Sequence, residues 1–159
     1  MVHGRQAARV GETLMAETTQ LSGSCMCGAC SFTATPSGQG AGACHCGMCR
    51  HWSGGIFMSV DCGNSVEFAE GSPVKSYKAS DWGERLFCGE CGSSLVWQLQ
   101  DGSMQNASIQ CFDKPGQFDL SVEVFIDNKP ANYALAGERN TMTEAEVIAL
   151  FAQNAEGQS

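Results

Sequence analysis

The sequence predicts a mainly β domain closed by a single C-terminal helix, and three patterns carry that expectation. Stretches such as CSFTATP and SVEVFI alternate apolar and polar residues, the period of a strand with one buried face. Glycine, serine, asparagine and aspartate recur between these stretches, where turns need them. The last segment, TEAEVIALFAQN, switches to helical spacing.

The first twenty residues, MVHGRQAARVGETLMAETTQ, are polar and show no sustained period, so they predict a flexible arm or one docked strand. Met15 offers an alternative start, because MAETTQLSGSC leads straight into the first cysteine motif. Short strands are then expected from Leu21 to Asp127, among them LVWQLQ and KSYKAS. In SVEVFI the alternation puts Val122, Val124 and Ile126 on one face. Near the end, Val147, Leu150 and Phe151 share a helical face, and Thr143 with Glu146 forms a capping box. The division this implies is an arm over 1–20, one domain over 21–155 and a tail over 156–159.

A chain of 159 residues is long enough to bury roughly two thirds of its unfolded surface in one domain. It contains no apolar run of membrane-span length and no signal-peptide core near its start, so no membrane partner is expected. The expected location is cytoplasmic, where thiols stay reduced. The net charge is −8, with Lys and Arg scattered. That balance repels phosphates and argues against a nucleic-acid partner, even for a zinc-ribbon spacing.

Ten cysteines are the outlier, at 25, 27, 30, 44, 46, 49, 62, 88, 91 and 111. Eight fall in three clusters: CMCGAC, CHCGMC and CGEC. Cysteines one or two residues apart are poorly placed to bridge each other, whereas two thiolates fold easily onto one ion. Gly28, Gly47, Gly89 and Gly92 lie inside or just after the clusters, where a positive φ is expected. Zinc is the expected metal, with iron–sulfur ligation left open because its donors are the same. Cys88 and Cys91 supply only two thiolates, so they complete a four-coordinate site with one triplet and leave the other with an open position. Spacing alone leaves the choice of triplet open.

In this order, GSCMCGACSF, CHCGMCRHWSGG and FCGECGSSL resemble the motifs of the glutathione-dependent formaldehyde-activating enzyme family, which also includes centromere protein V. The resemblance runs from Leu21 to about Gly137. It implies a β-tent of stacked antiparallel sheets and two zinc ions per chain. It assigns Cys25, Cys27, Cys88 and Cys91 to a structural zinc, and Cys44, Cys46 and Cys49 to a catalytic one. Cys30, Cys62 and Cys111 are then spare, and behave as small buried apolar residues; Cys30 is also a candidate redox-active thiol beside a metal site. Members with the formaldehyde activity carry a histidine at a strand start and a tryptophan after it. Here Glu123 and Tyr133 stand at those positions, which leaves the substrate open.

A zinc held by three thiolates is formally anionic, a poor activator of water but a suitable host for a fourth, soft sulfur. The implied reaction is that of a carbon–sulfur lyase: addition of a thiol such as glutathione to a small aldehyde, or the reverse. Arg50 is a candidate fork for a glutathione carboxylate, and Trp52, Gly54, Gly55 and Phe57 candidate pocket residues. His45 and His51 are candidate fourth ligands or acid–base groups, although a hydrogen-bonded histidine without chemistry is the commoner arrangement. Glu123 is read as a solvated strand residue before a proton acceptor, and Trp82 and Arg85 as packing near the structural zinc. The alternatives are a non-catalytic zinc-binding or interaction module on the same fold, and a thiol–disulfide or methionine sulfoxide reductase. The last needs a free low-pKa cysteine outside the metal sites.

Overall fold

The computed structural model describes residues 19–157, so all but the last two residues of the N-terminal arm, Met15 included, lie outside the described residues. Among the described residues eleven strands form two sheets. In the small sheet, β1 (Leu21–Ser24), β2 (Ser31–Ala34) and β5 (Glu67–Phe68) lie in the order β1-β2-β5. The large sheet takes β3 (Gly40–Cys44), β4 (Phe57–Asp61), β6 (Val74–Tyr77), β7 (Gly83–Cys88) and β8 (Ser94–Leu99). It is completed by β9 (Gln105–Ser108), β10 (Asp119–Val124) and β11 (Asn140–Met142), in the order β11-β10-β3-β4-β9-β8-β7-β6. Antiparallel pairing dominates, as expected; β10 is the exception and runs parallel to both β3 and β11.

Two apolar clusters hold these layers together. The larger is built on Phe32, Ala34, Val60, Leu95, Val96, Ala107 and Phe112, and includes Cys25, Cys30, Cys62 and Cys88. The smaller gathers Cys46, Cys49 and Phe57 with Trp52, Trp97 and Phe125. Strand β7 divides its side chains between them. Arg85 lies opposite Trp97 of the smaller cluster, whereas Leu86 and Cys88 pack in the larger one. Alternation along an unbulged strand accounts for the split, because residues three apart point to opposite faces.

Two α-helices accompany the sheets among the described residues. The C-terminal α2 (Glu144–Glu156) begins as expected: the Thr143 hydroxyl accepts from the Glu146 N–H, and the Glu146 carboxylate accepts from the Thr143 N–H. Its inward stripe is Val147 and Phe151, the latter ring 5.9 Å from Trp82 and 6.2 Å from Trp97. Leu150 corrects the expected face, being exposed, because an i, i+4 pair already fills the contact. The sequence reading missed α1 (Gly47–Ser53), a short helix inside the middle cysteine motif.

Strand β10 brings a second correction. It stops at Val124; Phe125 adopts φ 55°, and Ile126 opens a 3-10 turn, so Ile126 does not share a strand face with Val122 and Val124. The most buried β10 side chain is instead Glu123, at 8% exposure.

Candidate metal centres

The first centre is made of two loops facing each other. Cys25 and Cys27 follow β1, and Cys88 and Cys91 end β7 and its turn; their four sulfurs all lie within 4.8 Å of one another. The Cys25–Cys27 and Cys27–Cys88 sulfur separations are 3.6 and 3.9 Å. A tetrahedron with metal–sulfur bonds of about 2.3 Å has edges of about 3.8 Å, so this donor set fits zinc. Backbone N–H groups are already aimed at the sulfurs: Cys30 at Cys25 (3.2 Å), and Glu90 and Cys91 at Cys88 (3.4 and 3.5 Å). Such donors favour the thiolate over the thiol. Gly28 and Gly92 take φ of 80° and 77°, as the turns were expected to require. Gly47 and Gly89 do not. Gly47 opens α1, and Gly89 is small for another reason, since a Cβ there would stand 2.8 Å from the Pro73 carbonyl oxygen.

The second centre is local. Cys44 ends β3, Cys46 caps α1 and Cys49 lies within it, and their sulfurs also fall within 4.8 Å. Among the described residues no other Cys, His, Asp or Glu joins them. The Cys49 N–H donates to the Cys46 sulfur at 3.3 Å, so the helix N-cap is itself a member of the trio. Three thiols this close ionise unevenly. Hydrogen bonds from Cys44 and Cys49 pull the Cys46 thiol well down, while the Cys46 thiolate pushes Cys44 up. Full ionisation of the trio therefore requires a cation, the chemistry of a metal-binding donor set.

Neither histidine is a fourth donor. His45 is fully buried, with Nε2 donating to Glu123 Oε1 at 2.8 Å and Nδ1 hydrogen-bonded to the Tyr133 hydroxyl at 2.7 Å. Arg139 donates to the other Glu123 oxygen at 2.9 Å. Burial opposes ionisation of Glu123, but the bonds from Arg139 and His45 outweigh it and hold the carboxyl below its usual range. Glu123 is thus a buried anchor, correcting its reading as a solvated strand residue. His51 is exposed, and its Nδ1 meets the Gly47 carbonyl at 2.7 Å.

Arg85 overturns its expected place beside Cys88. Its Nη2 lies 3.8 Å from the Cys49 sulfur and its guanidinium carbon 5.7 Å from the centre of the Trp52 ring. Trp82 also faces away from the quartet, packing on Trp97 at 5.6 Å and on Phe151. Arg50 donates Nε–H to the His45 carbonyl at 2.9 Å and braces the motif from outside. Trp52 borders an open groove of about 870 Å³ with Ser53, Phe57, Ser93, Ser94 and Cys111, and its lining also takes in Cys25 and Cys91 of the quartet but no cysteine of the trio. Gly54 and Gly55 are exposed and outside that lining. Cys30 and Cys62 are buried as expected, which denies Cys30 the access a redox thiol needs. Half-buried Cys111 is the spare thiol on the groove.

Fold and site together define a mainly β protein with two cysteine clusters able to hold metal ions. Residues 20–128 match the model of the glutathione-dependent formaldehyde-activating enzyme family, and the chain belongs to that family. A Schizosaccharomyces pombe protein described as an uncharacterized lyase is 30% identical over 129 residues, covering 79% of this chain and 93% of the relative. A crystal structure of a Rhodobacter sphaeroides protein shares the fold, with TM-score 0.52 and 17% identity over 58% of this chain and 88% of that one. Tyr133 and Arg139, which close the network on His45 and Glu123, lie beyond the matched segment.

Proposed function

We propose that this protein is a zinc-dependent carbon–sulfur lyase acting on the adduct of a thiol with a small aldehyde, glutathione or a related thiol supplying the sulfur. One observation carries the reading. The quartet offers four thiol donors, while the trio offers three and has no further Cys, His, Asp or Glu donor among the described residues. In this reading Cys25, Cys27, Cys88 and Cys91 hold a structural zinc, and Cys44, Cys46 and Cys49 hold a second one with an open position. When bound there, that zinc supplies a soft acceptor at which the substrate sulfur is held as thiolate near neutral pH.

The chain's own residues do the rest. The network of Arg139, Glu123, His45 and Tyr133 fixes the loop between Cys44 and Cys46, so the trio keeps its spacing through turnover. Trp52 belongs both to the apolar cluster around Cys46 and Cys49 and to the wall of the groove, and so links the trio to a space that is otherwise bordered by Cys25 and Cys91 of the quartet. Ser53, Ser93 and Ser94 line that groove and suit the amide and carboxylate groups of a peptide thiol. Arg50 bonds the His45 carbonyl through Nε, its terminal N–H groups suit a carboxylate, and Gly54 and Gly55 present exposed backbone two and three residues after Trp52. In the cleavage direction the carbon–sulfur electron pair stays with sulfur, and the hydroxyl proton leaves to water as the carbonyl forms. Addition is the reverse.

The test is zinc per chain by elemental analysis of protein purified without chelator, followed by exchange of glutathione with formaldehyde measured by NMR. Two zincs and accelerated exchange support the lyase. One zinc, with neither glutathione retention nor exchange, leaves a non-catalytic zinc module.

A further inference from the structure

Arg85 is 3% exposed, and a buried guanidinium cannot lose its proton, so it needs a neighbouring anion. Among the described residues no carboxylate lies within ion-pair distance of it. The nearby acid on its own strand, Glu84, is bonded to Gln98 at 2.7 Å, and alternation along β7 turns it to the other face. What Arg85 does meet is the Cys49 sulfur at 3.8 Å, with the Trp52 ring beside it. Its Nε is buried without a hydrogen-bond partner, while its Nη2 donates to the Cys49 sulfur. A cation carried on a rigid strand, stacked on an aromatic ring and aimed at a thiol cluster has one evident electrostatic purpose.

We infer that Arg85 is the built-in counter-charge of the Cys44/Cys46/Cys49 centre, a positioning residue that lets a buried three-thiolate site hold a dication and still take one more anionic sulfur. This rests on the proposed metal role of the trio. Three thiolates and a dication leave one net negative charge, which in a buried place repels an incoming thiolate. The fixed guanidinium cancels that charge before the fourth sulfur arrives. Among the described residues no Lys or Arg donates a hydrogen bond to a sulfur of the quartet. Cys27 is exposed, so water screens its excess charge, and its coordination is complete without a substrate.

The experiment compares wild type with Arg85→Leu, Arg85→Gln and Arg85→Lys, reading zinc affinity at each centre by competition with a colorimetric chelator. Glutathione binding to the zinc-loaded protein is measured separately. Arg85→Leu and Arg85→Gln are expected to weaken the more labile zinc about 10- to 100-fold, the range for loss of a partner of a metal ligand. Arg85→Lys should recover most of that loss. The tightly held zinc should not change, and it reports that the fold is intact; if Arg85→Leu fails to fold, Arg85→Gln against Arg85→Lys carries the same comparison. Equal affinities in all four proteins overturn the inference, as does a Lys variant as weak as Gln. Wild type that holds two zincs but binds no glutathione sinks the lyase reading alone, because the affinity ranking still tests Arg85. Wild type with a single zinc overturns both.

Discussion

The two cysteine clusters use the same donor atom but are assembled and surrounded in different ways. The quartet joins two chain segments 61 residues apart, Cys27 to Cys88, through turns that aim backbone N–H groups at sulfur, with Cys27 open to solvent. The trio comes from one hexapeptide folded into a strand end and a helix cap, with Cys46 and Cys49 buried. Behind it stands a buried His–Glu–Arg network, and against it a guanidinium. The contrast teaches where each site's charge is balanced. In the proposed reading, water and amides balance the charge of the partly exposed quartet, whereas the trio with its open position draws on side chains dedicated to it.

The largest expected effect comes from breaking the quartet. Cys88→Ser removes a fully buried donor that ties the β7 end to the loop after β1. It should cost several kcal/mol of folding stability if the site holds zinc, and should leave no cooperative melt by circular dichroism. Cys49→Ser should do the opposite. The melt should survive while one zinc per chain and the glutathione–formaldehyde exchange are lost, as read by elemental analysis and NMR. A Cys49→Ser protein that unfolds as completely as Cys88→Ser would erase the distinction between the centres.

His45→Ala probes the support of the trio alone. It strips Glu123 of one partner in a buried setting, and should cost about 2–4 kcal/mol in urea unfolding. It should also loosen the labile zinc without touching the tight one. Acid should act through the same network. Glu123 has a folded pKa below its unfolded value, so its stabilisation is complete above about pH 4.3 and is lost as the pH falls through the folded value. Urea unfolding of wild type and Glu123→Gln between pH 6 and pH 3 should show two curves that converge toward acid. Parallel curves would mean that the Glu123 charge contributes nothing. The smallest effect is expected far from either centre: Thr143→Ala opens the α2 capping box and should cost about 1 kcal/mol in the same assay, with both zincs retained.

Much of this molecule can be read from local pattern. Strand periodicity, turn glycines and the capping box at Thr143 depend on neighbours a few residues away, and so does the gathering of Cys44, Cys46 and Cys49. The middle motif concealed α1 because three glycines and three cysteines in CHCGMCRHWSGG suggest a turn; only the contacts of Trp52 and the N-cap bond at Cys46 reveal a helix. His45 is a candidate ligand by position, since it sits between two of them, although a hydrogen-bonded histidine is the commoner arrangement. Its side chain leaves the trio because Glu123 and Tyr133, 78 and 88 residues away, hold both of its nitrogens.

By itself the sequence determined which residues carry sulfur, how they cluster and that a mainly β frame holds them, since these follow from composition and short-range spacing. Only the tertiary structure decided what each cluster lives beside. Glu123 came to be buried because β10 lies against β3, and Arg85 came to face Cys49 because strand alternation turned it away from Cys88. Electrostatic partners are chosen through space, by which faces pack together, and no local pattern in a chain records that choice.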